Sequence, residues 1–336
     1  MRRGSIVQLV LISMVAAGIA TALALIPGWL PTEASEEAGR INFVFWFVTA
    51  ICIGIFALVA AVTIYSVLKF RAREDDDSDG PPIHGHTGLE IAWTALPAVL
   101  VTAIGIVSAV VLARNSDAGS NPLRVDVLAQ QFAWSFTYPQ ENGLTAGRLR
   151  LPLGRTAELH FQARDVIHSF WVPQFGQKQD TVPGLETTLV ITPKKTGTFP
   201  VVCTELCGLG HAAMRTQVVV MPQAAFAAWV RERSQGEAGK DPGLAAFESN
   251  GCGSCHTLAA AKTTGKTGPD LGKLPEQARR AGRPLEEFVR ESIIKPNAYV
   301  EPRFKRDVMP DSYASLPDEQ LNALVKFLVE SSRKAG

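Results

Sequence analysis

The sequence has almost no net charge and few cysteines. Its 336 residues include 33 Lys and Arg against 32 Asp and Glu, which gives a formal net charge of +1. This balance gives no support to nucleic-acid binding, which needs a concentrated basic surface. Intrinsic disorder is equally unsupported, because 46% of the residues are hydrophobic and only 19% are charged. Five cysteines are too few for a disulfide scaffold, so their spacing is more informative than their number.

Three long stretches lack charged residues. They lie between Arg3 and Glu33, between Arg40 and Lys69, and between Glu90 and Arg114. A bilayer core about 30 Å thick needs roughly 20 apolar residues in a helix, and each stretch is long enough. The second and third (41–68 and 91–113) are predicted to cross the lipid bilayer as a helical hairpin within residues 33–114, because neither has a polar stripe. The first, within residues 1–32, fits a signal peptide or a further span equally well.

Basic residues near the spans predict the orientation. The connector between the second and third stretches contains three of them (Lys69, Arg71 and Arg73), and two precede the first stretch, whereas the connector between the first two has only Arg40. Basic residues flanking spans stay on the cytoplasmic side. We therefore expect a multi-pass protein of a bacterial cell membrane, with everything after Arg114 on the outer face.

The remaining length predicts two soluble domains. Residues 115–222 alternate between apolar and polar positions, as at 123–127, with breaks at proline and glycine, which predicts an antiparallel β sandwich or barrel. Residues 223–240 form a boundary, with a possible helix over 224–233 and a flexible linker over 234–239. Residues 241–336 have helical periodicity, clearest at 317–333. Asp241 before Pro242 is typical of a helix N-cap followed by proline.

The C-terminal region contains a C-x-x-C-H motif at Cys252, Cys255 and His256. Two cysteines at this spacing form thioethers to one haem, and the adjacent histidine supplies an axial nitrogen. A disulfide or a redox dithiol is the alternative, against which the immediate histidine and an expected helical setting count. Met309 is the single methionine after Met221 and is predicted to be the second axial ligand.

A second motif, C-x₃-C-x₃-H-x₂-M, runs from Cys203 through Cys207 and His211 to Met214. Thiolate, imidazole and thioether ligands together select copper. Two thiolates can bridge two copper ions, with one histidine at each end, so a second histidine is needed from elsewhere. His168 is a suitable donor. His160 is a competing candidate, and a Cys203–Cys207 disulfide is a competing structure.

Both motifs carry a resemblance to known families. The region around the C-x-x-C-H motif, with Gly268–Leu271 and Met309–Pro310, resembles a small class I cytochrome c. Several other parts of the chain resemble cytochrome c oxidase subunit II: the copper motif, the segments 165–170 and 131–138, and the last two spans. Residues 84–94 lead into the second of these spans. A fused cytochrome c makes the chain similar to the caa-type oxidases.

The resemblance implies a cupredoxin-like fold with a binuclear CuA centre. Its ligands would be the side chains of five residues and one main-chain carbonyl, namely His168, Cys203, Cys207, His211, Met214 and the carbonyl of Glu205. The Glu205 carboxylate would point towards a magnesium ion shared with subunit I. Glu90 would lie at the mouth of a proton path, although a charged residue that simply ends a span at the interface is the alternative.

Two positions depart from the family pattern. Phe132 stands where a tryptophan usually receives the electron from external cytochrome c, and it is expected, with Trp134, to lie on the electron route. An internal haem would relax the requirement for tryptophan. Leu185 follows Pro183–Gly184, where an arginine is common, so the arginine contact to subunit I is not expected here.

The implied function is that of an electron-transfer subunit of a terminal oxidase. A cytochrome c or a cytochrome bc-type complex would reduce a covalent haem c, which would reduce CuA and then the haem of subunit I. The oxygen-reducing site is expected in subunit I, and subunit III is a further expected partner. The linker would keep the two centres at an effective concentration around millimolar.

Three other classes share some of these features. A quinol oxidase subunit II would keep the fold but lack the copper ligands, all of which are present here. Nitrous oxide reductase shares the copper motif but would need a large His-rich domain. A membrane-anchored copper chaperone could use Cys203 and Cys207, but the added histidine, methionine and haem motif count against it.

Overall fold

The computed structural model describes residues 3–71, 82, 84–237 and 241–334. These residues form two compact units: residues 1–32 with 39–114, and residues 33–38 with 115–336. The predicted cytoplasmic residue Arg73 lies outside the described residues.

The first unit consists of long apolar helices: α1 (Arg3–Leu25), α2 (Glu36–Lys69), whose first three residues belong to the second unit, and α3 (Thr87–Asn115). Each is long and apolar enough to cross a membrane. Their large apolar side chains are mostly exposed, as expected when the surrounding solvent is lipid rather than water. The structure thus confirms helices over the second and third charge-free stretches. The first stretch is also helical, and whether it is cleaved stays a prediction.

The second unit begins with a sandwich of two five-stranded sheets, which we call the β domain (115–222). One sheet has the order β3-β2-β1-β5-β8 and contains β1 (Leu123–Gln130), β2 (Ala133–Tyr138), β3 (Leu144–Ala146), β5 (Ala157–Ala163) and β8 (Thr187–Ile191). The other has the order β4-β10-β9-β6-β7 and contains β4 (Leu149–Pro152), β6 (His168–Trp171), β7 (Lys178–Thr181), β9 (Gly197–Cys203) and β10 (Arg215–Met221).

The alternating residues form the core between the sheets. Val125, Leu159 and Val218 are fully buried, as their pattern predicts. The prediction of purely antiparallel pairing was wrong for two pairs, because β1 runs parallel to β5 and β10 runs parallel to β4. The chain leaves the first sheet after β3, adds β4 to the other sheet and returns as β5, which therefore lies beside β1 in the same direction.

Helix α4 (Gln223–Glu237) follows the sandwich. Phe226, Trp229 and Val230 pack against the β-domain core, and the Arg150 guanidinium lies 4.8 Å from the centre of the Trp229 ring. The prediction of a flexible linker that starts at Ser234 was wrong for residues 234–237, because α4 continues to Glu237. Residues 238–240 lie outside the described part of the chain.

The remainder, which we call the helical domain (241–336), packs α5 (Pro242–Ser249), α6 (Leu274–Ala281), α7 (Leu285–Ile294) and α8 (Asp318–Arg333) around one core, with a short hairpin of β11 (Thr257–Leu258) and β12 (Thr263–Thr264). The predicted N-cap is confirmed, since the Asp241 carboxylate accepts a hydrogen bond of 2.8 Å from the Gly243 amide. The C-x-x-C-H motif was expected in a helix. It begins instead in a 3₁₀ turn (Cys252–Ser254), because Gly251 takes a left-handed conformation after α5.

Candidate metal and haem sites

Two buried cysteine sulfurs form the centre of the first site. Cys203 ends β9 and Cys207 lies in the loop that follows, and their Sγ atoms are 3.9 Å apart. Both cysteines are free thiols. A disulfide would need about 2.05 Å between the sulfurs. The geometry therefore favours two separate thiolate ligands over the competing disulfide.

His168 lies beside these sulfurs at the start of β6. Its Nε2 donates to Asp165 Oδ1 at 2.8 Å, and its buried Nδ1 has no hydrogen-bond partner among the described residues. Potential ligand atoms of His168, Cys203 and Cys207 all lie within 4.8 Å of one another. A histidine fixed through one ring nitrogen by a carboxylate presents the other nitrogen to a metal. Asp165 was not predicted to have this role, although its position three residues before His168 is a usable signal.

The rest of the copper motif surrounds the two sulfurs. His211 Nδ1 lies 3.5 Å and Met214 Sδ lies 3.7 Å from Cys207 Sγ. The main-chain carbonyl oxygen of Glu205 lies 3.3 Å from Cys203 Sγ. The structure therefore brings together all six predicted ligand groups. Two thiolates, two imidazoles, a thioether and a carbonyl fit copper rather than a hard cation.

The two thiols differ in their ionisation. Burial opposes ionisation of Cys203, but the adjacent His168 ring and the nearby main-chain groups outweigh it and lower the pKa of this thiol. Burial and the neighbouring Cys203 charge raise the pKa of Cys207. Burial would also raise the pKa of Asp165, yet its hydrogen bonds from His168 and two main-chain amides lower it overall. One thiolate and one carboxylate are thus stabilised in the folded protein.

His160 lies in the other sheet and is not part of this cluster. It occupies β5, where its Nδ1 is 3.0 Å from Glu186 Oε1 and its Nε2 is 3.4 Å from Glu158 Oε2. The structure therefore favours His168 over His160 as the second histidine.

Phe132 packs directly on the copper loop. A Cβ atom at Gly210 would lie 2.3 Å from the Phe132 ring, so only glycine allows this approach. The preceding Gln131 donates from Nε2 to the Cys207 carbonyl at 2.6 Å and from its main-chain amide to Asp165 at 2.7 Å. Trp134 is buried edge-on against His168, with ring centres 6.2 Å apart. The segment that resembles the family's electron-entry region thus contacts the copper ligands.

The predicted haem ligands share one cavity in the helical domain. Cys252, Cys255, His256 and Met309 all line it. The His256 Nδ1 donates to the Pro269 carbonyl at 2.8 Å, which leaves Nε2 for an iron ion. Burial lowers the pKa of His256, so the neutral, ligating form is favoured. An apolar cavity with two thiols, a fixed imidazole and a thioether fits a covalent c-type haem.

Glu90 caps the start of α3. Its Oε1 accepts a hydrogen bond of 3.1 Å from the His86 main-chain amide, and the residue is exposed. Glu205 also has an exposed side chain. This contact accounts for Glu90 as a helix cap, and the proton path at Glu90 and the magnesium site at Glu205 stay predictions.

Comparisons with known proteins agree with this geometry. Family models match three segments: the transmembrane domain of cytochrome c oxidase subunit II (22–111), the periplasmic domain of the same subunit (144–221) and cytochrome c (241–332). Cytochrome c oxidase subunit 2 of Synechocystis sp. is 35% identical and aligns with 60% of this chain and 75% of its own length. That of Alkalihalophilus pseudofirmus is 31% identical over 81% of each chain.

Solved structures also match this chain. The periplasmic domain of subunit II of cytochrome oxidase from Bradyrhizobium japonicum is 27% identical, with a TM-score of 0.34, over 35% of this chain and 98% of that one. The two matched parts of subunit II and the identity to its members show that this is a membrane protein and a component of an oxidoreductase. The chain belongs to the cytochrome c oxidase subunit II family and carries a cytochrome c domain at its C-terminal end.

Proposed function

We propose that this chain carries electrons from a donor on the outer face of the membrane to subunit I of the oxidase, using a covalent haem c and a binuclear CuA centre. Both groups, once bound, supply one-electron redox chemistry. The protein supplies their ligands and places the buried Phe132 side chain beside both sites. A cytochrome c or a cytochrome bc-type complex is the proposed donor, with subunits I and III as the other partners.

The proposed copper ligands are those whose donor atoms converge in the β domain. The copper ions would be held by five side chains and one main-chain carbonyl, namely those of Cys203, Cys207, His168, His211 and Met214 and the carbonyl of Glu205. The sulfur separation of 3.9 Å supports two thiolate ligands. Asp165 holds the His168 ring so that its buried Nδ1 stays available.

The thiols of Cys252 and Cys255 would attach the haem covalently, and His256 and Met309 would hold its iron. Their common cavity supports this assignment. A histidine–methionine pair favours a high haem potential, which suits a donor to an oxidase. A soluble donor would approach through the helical domain, which supplies most of the residues that line the cavity.

The observation that carries the relay is the position of Phe132. This side chain contacts the copper loop at Gly210 and also lines the haem cavity. It is only 5% exposed. The only aromatic ring that borders both centres among the described residues is therefore shielded from solvent, which supports a direct route between them. Trp134, packed on His168, supports the copper end of that route.

Two further roles form part of the proposal. The exposed Glu205 carboxylate would contribute to a magnesium site at the contact with subunit I, since carboxylates are preferred ligands of this ion. Glu90 would lie at the entry of a proton path. Its contact with the His86 amide places the carboxylate at the first turn of α3, a position compatible with capping and with proton uptake alike.

Optical and EPR spectra of the purified protein test the relay. We expect a covalent c-type haem together with the EPR signal of a mixed-valence pair of copper ions. A covalent haem without that signal would contradict the proposal. Phe132→Leu then tests the route: the rate of electron transfer from haem to copper should fall, and an unchanged rate would show that Phe132 is not on it.

A further inference from the structure

We infer that a buried hydrogen-bond cluster locks the helical domain onto the β domain and holds the haem cavity against Phe132. The cluster, which we call the domain lock, consists of the buried Gln130 of the β domain and the buried Asn250 and Tyr313 of the helical domain, with the exposed Arg164 of the β domain at its edge. This inference rests on the proposed function. It replaces the expected flexible linkage between the two domains with a fixed arrangement of the helical domain on the β domain.

The domain lock is centred on Gln130. Its Nε2 donates to the Asn250 main-chain carbonyl at 3.0 Å and approaches the Tyr313 hydroxyl oxygen at 3.4 Å. Its Oε1 accepts from Arg164 Nη1 at 2.7 Å. The Tyr313 hydroxyl donates to the same Asn250 carbonyl at 3.1 Å. Both polar ends of the Gln130 side chain therefore have partners: Oε1 is bonded within the β domain, and the two partners of Nε2 belong to the helical domain.

Burial makes these bonds costly to break. Gln130 is 3% exposed, Asn250 is 3% exposed and Tyr313 is 7% exposed. A buried polar group that loses its partner is left desolvated without compensation. A small displacement of the domains would leave these groups without their partners and still shielded from water, so the docked arrangement resists such displacements.

Close main-chain packing reinforces the domain lock. A Cβ atom at Gly251 would lie 2.3 Å from the Ala133 Cβ, and Gly251 has a φ of +67°. Only glycine satisfies both the space and the conformation at this position. An ion pair of 3.1 Å between Arg233 of α4 and Glu248 of α5 lies nearby, but its partial exposure gives it a small contribution.

The domain lock is adjacent in sequence to the copper supports. Gln130 bonds the helical domain, whereas Gln131 bonds the Cys207 carbonyl and Asp165. Arg164 precedes Asp165, which holds His168. Two neighbouring pairs of residues thus fix one domain to the other and fix the copper ligands. Gln130, Gln131, Arg164 and Asp165 are therefore positioning residues for electron transfer. In the docked arrangement the helical domain covers Phe132, so an external protein cannot contact its ring.

The test compares lock variants in the assembled oxidase. Gln130→Leu combined with Tyr313→Phe removes the hydrogen bonds of the Gln130 and Tyr313 side chains across the interface, and Ala133→Leu wedges the domains apart at Gly251. Tyr138→Phe is the matched control, because the Tyr138 hydroxyl is equally buried but bonds only the Arg150 main chain within the β domain. Hydrogen exchange at 128–134 and 249–252 reports docking, with α8 as the internal reference.

We expect both lock variants to exchange at least about fivefold faster at these two segments, with α8 unchanged. Haem-to-copper transfer should slow by at least about tenfold, because small displacements of reacting centres have large effects on rate. The control should change neither. Soluble cytochrome c should reduce the haem before the copper in the wild type.

Two results would overturn the domain lock: equal exchange in wild type and lock variants, or reduction of copper before haem in the wild type. Faster exchange with an unchanged transfer rate would overturn its positioning role. A protected interface without any haem-to-copper transfer would instead overturn the relay and leave the domain lock standing.

Discussion

The β domain and the helical domain prepare their sites in different ways. In the β domain, the ligand atoms converge on two sulfurs 3.9 Å apart, and hydrogen bonds from Asp165 and Gln131 hold them. In the helical domain, the ligands line a cavity whose walls are the same side chains that form the domain core, among them Leu274, Phe288 and Leu328. The first site is built by the fold alone, whereas the second shares its core with the group it binds.

This difference predicts that haem removal has the largest effect on stability. Cys252→Ala with Cys255→Ala prevents covalent attachment, and the helical domain should lose about 5 kcal/mol or more because its core surrounds the cavity. Hydrogen exchange of α8 measures this loss. Chelation of copper is the matched comparison and should leave the β-domain strands protected. If the α8 amides of the cysteine variant were as protected from hydrogen exchange as those of the wild type, the helical domain would not depend on its haem for stability, and the proposed difference between the domains would be wrong.

Asp165→Asn sharpens the comparison at the copper site. This change keeps the shape of the side chain but weakens the hydrogen bond that holds His168. We expect copper affinity to fall by about 10- to 100-fold, with the sandwich intact. Competition with a copper chelator measures the affinity, and circular dichroism checks the fold. An affinity equal to that of the wild type would show that the His168 ring is fixed by packing alone.

The pKa of Cys203 in the copper-free protein tests whether the fold stabilises a thiolate ligand before metal binds. The adjacent His168 ring and the nearby main-chain groups lower the pKa of Cys203 in the folded protein, so its thiolate persists as the pH falls until that lowered pKa is crossed. In reduced, copper-free protein, thiolate absorbance at 240 nm should appear with a midpoint at least about one unit below that of a free thiol. Cys203→Ser should abolish this step. A midpoint near 8.5 would contradict the expectation.

The smallest expected effect concerns a helix cap away from both centres. Asp241→Ala removes the bond to the Gly243 amide and should destabilise the helical domain by about 1 kcal/mol. Chemical denaturation followed by haem absorbance measures the change, and Asp241→Asn should retain most of the stability. A loss as large as that caused by haem removal would mean that local helix formation, rather than the cavity, limits this domain.

Local patterns in the sequence determined much of this protein. The charge-free stretches predicted the long helices, the alternation at Val125 and Val218 predicted core strands, and Asp241 predicted the start of α5. Both ligand sets were named from motif spacing or family resemblance, because soft donors at fixed intervals are recognisable without a structure. What each residue contributes to function remains a proposal.

Only the tertiary structure decided how distant segments meet. It showed why His168, the predicted ligand, lies with the sulfurs and His160 does not: β6 lies beside β9 and the copper loop, whereas β5 lies in the other sheet. It showed the two parallel strand pairs, the continuation of α4 and the support of His168 by Asp165. It also brought Gln130 against Asn250 and Tyr313, contacts across 120 and 183 residues that no local spacing encodes. Packing between segments far apart in sequence set these contacts.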